Sequence, residues 1–95
     1  MFKALDPLLH NQLRLSIMSI LISVESAEFS FLLEKTGATR GNLSVQINKL
    51  KEAGYITVKK SFRDNYPLTT CKIATTGIDA FEDYVDALQD YLNTT

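Results

Sequence analysis

Amide, hydroxyl and basic side chains, with no acid among them, crowd the stretch from Thr39 to Lys51. Within it Leu43, Ile47 and Leu50 recur at spacings of four and three, which on a helix makes one narrow apolar stripe. The opposite arc then carries Gly41, Asn42, Ser44, Val45, Asn48 and Lys49, with Arg40 and Lys51 beside it. Short amides and hydroxyls can exchange hydrogen bonds with base edges, and cations can meet phosphate. The pattern predicts a helix that enters a groove of double-stranded DNA through Thr39, Arg40, Asn42, Ser44, Val45, Asn48, Lys49 and Lys51. Taken alone, it fits an amphipathic surface helix equally well. Other chemistry finds less material. Cys71 and His10 would have to serve as nucleophile and base, yet a mid-strand cysteine is usually buried and inert, so no enzyme is expected. One cysteine and one histidine cannot build a four-ligand metal site, and no cofactor is expected.

The helix must be held in place by its neighbours. Gly37 can end a preceding helix in the left-handed conformation, Thr39 can cap the next, and Gly54 can stop it. Upstream, Asp6-Pro7 predicts the start of a first helix through Val24, an acid at the cap and proline at the first position. That helix has two apolar stripes, one of Leu9, Leu13, Ile17, Ile20, Leu21 and Val24, the other of Leu8, Leu15, Met18 and Ile22. A helix apolar on two faces is buried on both. The second face meets either another copy of the chain or a later helix of the same one. Glu25 to Glu28 reads as a polar break, and Ser30 as the cap of a short second helix ending at Gly37.

After Gly54 the period shortens from helical to alternating. Ile56, Val58 and Phe62 share one face of a strand that Lys60 interrupts, and Leu68 to Ile73 reads as a second strand. The segment Arg63 to Pro67 has turn chemistry, giving a hairpin with Lys59, Lys60 and Arg63 towards its tip. A last helix runs from about Thr76 to Leu92. Ile78, Phe81, Val85, Leu88 and Leu92 form a heptad-like seam, and Ala80, Tyr84, Ala87 and Tyr91 widen it. These surplus apolar faces predict a homodimer through Leu8, Leu15, Met18, Ile22, Tyr84, Leu88, Tyr91 and Leu92.

Charge is segregated along the chain. The net of −1 divides into −2 over residues 1–34, +6 over 35–72 (eight bases, two acids) and −5 over 73–95 (five acids, no base). A basic middle between acidic ends predicts one polyanion-binding face, with the acidic last helix turned from it. The 95 residues fit one small domain, 1–95. Polar residues interrupt every long apolar stretch, so no membrane span or signal peptide is expected. The lone cysteine suits a reducing, cytoplasmic setting.

Helix, helix, turn, basic helix, hairpin, helix is an α+β order, mainly α, that resembles the winged helix-turn-helix: three helices, a β-hairpin wing and a long C-terminal helix. Arg40-Gly41-Asn42-Leu43-Ser44 with Lys49-Leu50-Lys51-Glu52-Ala53-Gly54-Tyr55-Ile56 looks like the recognition helix and first wing strand of MarR/ArsR-like regulators. Pro67 to Ile73 and Thr76 to Phe81 are similar to the second wing strand and last-helix start of the small single-domain branch. The resemblance implies a DNA-binding transcriptional regulator, with Lys59, Lys60 and Arg63 of the wing reaching DNA. It departs from the pattern in having Cys71 where an aromatic residue is common. Ala74 replaces the usual capping threonine, so Thr75 is expected to cap instead. The cysteine-rich metal motif and the extra ligand-enclosing helices of longer relatives are absent, and no small-molecule effector is indicated. Winged helices also serve as protein-docking adaptors, which is the alternative.

Overall fold

The computed structural model describes residues 2–93. Its elements run α1 (Gln12–Val24), β1 (Ser26–Glu28), α2 (Phe29–Thr36), α3 (Arg40–Glu52), β2 (Ile56–Arg63), β3 (Tyr66–Ile73) and α4 (Thr75–Leu92). The three strands form an antiparallel sheet in the order β1-β3-β2, with Ala27 opposite Cys71 and Val58 opposite Cys71 on the other side.

Three departures from the sequence expectations have physical causes. First, Asp6-Pro7 opens only an isolated turn. Asp6 accepts from the Leu8, Leu9 and His10 amides, and α1 starts afresh at Gln12, capped by the Asn11 side chain on the Arg14 amide at 3.0 Å. Second, the polar break at Glu25–Glu28 contains β1. Glu25 takes φ 70°, turning the chain out of α1, and Ser26–Glu28 then pairs with Thr70–Lys72 of β3. α2 consequently begins at Phe29, and Ser30 lies inside it rather than at its cap. Third, the hairpin stays paired further towards its tip than expected: β2 runs on to Arg63 and β3 starts already at Tyr66. The turn is only Asp64-Asn65, both at positive φ, and Pro67 pairs opposite Phe62 within β3. Proline is tolerated there because β1 covers only the far end of β3, leaving no neighbour to miss an amide proton on that edge.

Other local signals act as expected. Gly37 (φ 69°) ends α2, and the Thr39 hydroxyl accepts from the Asn42 amide at 3.2 Å to cap α3. At the far end Gly54 (φ 78°) closes a Schellman motif, with Tyr55 N–H on the Leu50 carbonyl and Gly54 N–H on that of Lys51. The expected Thr75 cap, in contrast, does not form: Thr75 is already the first residue of α4, the cap position falls on Ala74, and no side chain there can accept from the first turn.

The core gathers Leu9, Ile17, Met18 and Leu21 from the first segment, Leu32 from α2, Leu43, Ile47 and Leu50 from α3, and Ile56, Cys71 and Ile73 from the sheet. Each fully buried aliphatic chain is worth about 1.5–3 kcal/mol, so the α3 stripe alone anchors that helix firmly. α1 packs against both α3 and α4. Met18 and Tyr84, expected to face a second copy, are 0% and 4% exposed and covered by their own chain. The Tyr84 hydroxyl also lies 3.0 Å from His10 Nδ1. Leu8, Leu15 and Leu88 are half-buried against the core, while Ile22, Tyr91 and Leu92 are exposed.

Candidate nucleic-acid interface

α3 shows solvent its polar arc and hides its stripe. Leu43, Ile47 and Leu50 are buried, whereas Thr39, Arg40, Asn42, Ser44, Val45, Asn48, Lys49 and Lys51 are all exposed. The sole acid in the helix is Glu52, its last residue. With Lys49 and Lys51 also in the last turn, the C-terminal end of α3 is basic where the helix dipole is negative.

The wing stands beside this surface, and strand register decides which of its bases look towards α3. Directly opposed residues of an antiparallel pair share a face, and successive residues alternate. Ile56, Val58, Lys60 and Phe62, with Ile73, Cys71, Thr69 and Pro67 opposite them, therefore make the face turned to the core and α3. Lys59 and Arg63 belong to the other face, together with Glu28 of β1. Arg63 is drawn back there into an ion pair with Glu28, its Nη2 2.9 Å from Oε2. Of the three wing bases expected at DNA, only Lys60 lines the cleft beside α3.

That cleft, about 600 Å³, is bounded by Arg40, Ser44 and Asn48 of α3, Lys60, Pro67 and Thr69 of the wing, and Phe29 and Ser30 of α2, over a floor including Ile47 and Val58. Two cations and no acid line it. The Arg40 guanidinium sits 5.8 Å from the Phe29 ring centroid, a cation–π contact that holds it at the cleft mouth.

Sequence reasoning did not find the polar support behind α3. Arg14 of α1 donates to the Gln46 side-chain oxygen and to the Leu8 carbonyl, and Gln46 in turn donates to Asn42 Oδ1 at 3.0 Å. The i, i+4 spacing of Asn42 and Gln46 could have suggested the last bond; the reach from Arg14 needs the tertiary fold. Tyr55, after the α3 cap, donates its hydroxyl to Asp6 Oδ2 at 2.6 Å. That hydrogen bond to the carboxylate, with lesser help from burial and charge, pushes the phenol pKa up to about 12. Cys71 is buried at mid-strand, and desolvation raises its thiol to about 11, leaving it protonated at neutral pH.

A helix-turn-helix whose second helix lies exposed beside a β-hairpin, with an acid-free cleft between them, is a winged helix-turn-helix of the DNA-binding class. The winged helix-turn-helix expected from the sequence is the fold observed. Residues 13–92 match the winged helix DNA-binding domain family, and the chain belongs to it. It is 38% identical over 72 residues to an uncharacterized protein of Methanocaldococcus jannaschii, spanning 76% of this chain and 78% of that one. Its fold is similar to that of a transcriptional regulator homologue from Pyrococcus horikoshii OT3, with TM-score 0.85, 28% identity, and 92% of this chain and 86% of the other covered. It also resembles the transcriptional regulator BldR from Sulfolobus solfataricus, with TM-score 0.73, 18% identity, and 88% and 59% coverage.

Proposed function

We propose that the protein is a sequence-specific DNA-binding transcriptional regulator that acts as a homodimer. The observation that carries this reading is the cleft between α3 and the wing, lined by Arg40 and Lys60 and free of acids, beside a helix whose polar arc is wholly exposed. In this reading α3 lies in the major groove, where Ser44, Val45 and Asn48 meet base edges while Arg40, Lys49 and Lys51 neutralise phosphates. Thr39 keeps the first turn of α3 open towards DNA, and Asn42 is held at the surface by Gln46. Lys60 reaches the neighbouring backbone. Lys59 and Arg63, on the other wing face, contribute only to the general field.

The homodimer is supported by what stays exposed on the apolar faces of α1 and α4. Ile22, Tyr91 and Leu92 are 37%, 44% and 72% exposed. Leu8, Leu15 and Leu88 border them, and Met18 and Tyr84 act from beneath by holding the two helices together. Two copies joined there carry two reading helices, which calls for a palindromic site. A reducing cytoplasmic setting suits such a role.

Selection from a random DNA pool tests class and symmetry together, and a palindrome is the expected product. On the enriched duplex, Asn48→Ala should cost about 1–3 kcal/mol and relax preference at one position per half-site. Lys49→Ala should weaken specific and scrambled DNA alike, because phosphate carries no sequence information. If neither variant alters either affinity while the fold persists, α3 is not the reading element, and a protein-docking adaptor becomes the better account.

A further inference from the structure

Past Val58 the wing leaves the core, and its outer end is aromatic instead of basic. Along the face turned to α3, exposure rises from 2% at Ile56 to 75% at Phe62. Pro67, paired with Phe62 across the strands, lines the same cleft as Arg40 and Asn48. The base nearest the turn, Arg63, lies on the other face and is held by Glu28.

We propose that Phe62 and Pro67 form an apolar wedge that enters the DNA minor groove beside the major groove read by α3, unstacks a base step and bends the duplex. This rests on the DNA-binding reading above and adds a contact that deforms DNA.

Four observations carry it. Phe62 is among the most exposed large apolar side chains described, so free protein leaves in water a ring whose burial against DNA is favourable. The wedge is stiff, because the strands stay paired up to Arg63 and Tyr66 and only two residues make the turn. Its surroundings select a polyanion: Lys60 lies two residues behind Phe62 on the same face, and Lys60 and Pro67 line one cleft with Arg40. Finally, Asp64 occupies the turn where a phosphate-seeking wing would carry a base. Charge attraction therefore does not seat the outermost residues. Rings and prolines inserted at a flexible step from the minor groove do so by burial, and such wedges kink DNA by about 20–90°.

The test uses the whole chain and the duplex enriched from a random pool, labelled at both ends for energy transfer. Wild type should shorten the end-to-end distance. Phe62→Ala should abolish that change and weaken binding about tenfold, a loss typical of one base–aromatic contact. Its salt dependence should stay unchanged, since a neutral ring releases no counterion. Phe62→Leu should keep part of the bend. Tyr66→Ala, equally exposed but on the far face, should bend DNA like wild type. Thermal melts of these variants should coincide, because neither ring is buried in the free protein. A wild-type complex on straight DNA, or one bent equally by Phe62→Ala, overturns the wedge while leaving DNA binding intact. Failure of wild type to bind any duplex overturns both. If Phe62→Ala instead lowers the oligomeric state in sedimentation without altering the bend, the ring belongs to a contact between copies and the wedge is refuted.

Discussion

Gly77 in the first turn of α4 separates two opposite expectations. Judged by helix propensity, Gly77→Ala should stabilise the protein by up to about 1 kcal/mol. Its surroundings reverse the sign. A Cβ built on Gly77 would lie 2.1 Å from the Tyr55 carbonyl oxygen and 2.9 Å from its carbon, and these are backbone atoms that cannot swing aside. The same oxygen accepts from the Ala74 amide at 3.0 Å, the bond that fastens the start of α4 to the root of the wing. Over-packing of this sort costs about 1–3 kcal/mol and sometimes more. Stretching the hydrogen bond adds about 0.5–1.5 kcal/mol. After the propensity gain is deducted, a net loss of about 0.5–3.5 kcal/mol remains, centred near 2 kcal/mol. In a domain of this size, each kcal/mol moves the midpoint by about 4–8 °C, so at the central value the melt followed by circular dichroism should fall by about 8–16 °C. DNA affinity measured below the new midpoint should also drop, because the shifted residue, Tyr55, immediately precedes β2. An unchanged or raised midpoint would refute the close approach of α4 to the wing root.

The remaining predictions address the interface and its supports. Leu92→Glu alters a side chain 72% exposed in the single chain, so it should yield a folded monomer by sedimentation; a wild type that is already monomeric at micromolar concentration would remove the proposed dimer. Glu28→Ala should release Arg63 at little cost in stability, since an exposed ion pair is worth about 0–1 kcal/mol, and it should strengthen binding to scrambled DNA and steepen its salt dependence. Tyr55 binds its proton more tightly folded than unfolded, with a pKa of about 12 against 10.0. Its contribution is therefore complete below pH 10 and is lost as pH rises towards 12. Melts across that window should decline less steeply for Tyr55→Phe than for wild type.

How much could be read from the sequence depended on whether a signal was local. The caps at Gly37, Thr39 and Gly54 and the stripe Leu43–Ile47–Leu50 sit within a few turns of one another, so α3 and its exposed arc were legible. β1 was not: three residues of polar or small type become a strand only because β3, far along the sequence, supplies the partner. The Asp6-Pro7 signal was real but stopped at one turn, because Asn11 caps a new helix. Stripe periodicity identifies residues that share a side without saying what covers them, which is why Met18 and Tyr84 proved to be covered by their own chain. The bases of the wing were legible as bases. Their division between two sheet faces followed from the register, and the capture of Arg63 by Glu28 depended on a strand the sequence had concealed.

The chain's charges nearly cancel in total while staying segregated along it, +6 over residues 35–72 against −2 and −5 on either side, so it presents almost no monopole to a polyelectrolyte. In the field of a polyelectrolyte such a body is rotated more than it is drawn in. Its productive orientation is chosen within the last Debye length, about 8–10 Å in physiological salt, and a duplex approaching the exposed acids of α4, Asp79, Glu82, Asp83 and Asp86, meets repulsion. A molecule with an acid-free cleft at α3 and an exposed acidic α4 favours contact through the cleft. It would occupy individual sites on DNA without cross-linking neighbouring duplexes, as a uniformly cationic protein of equal size would do.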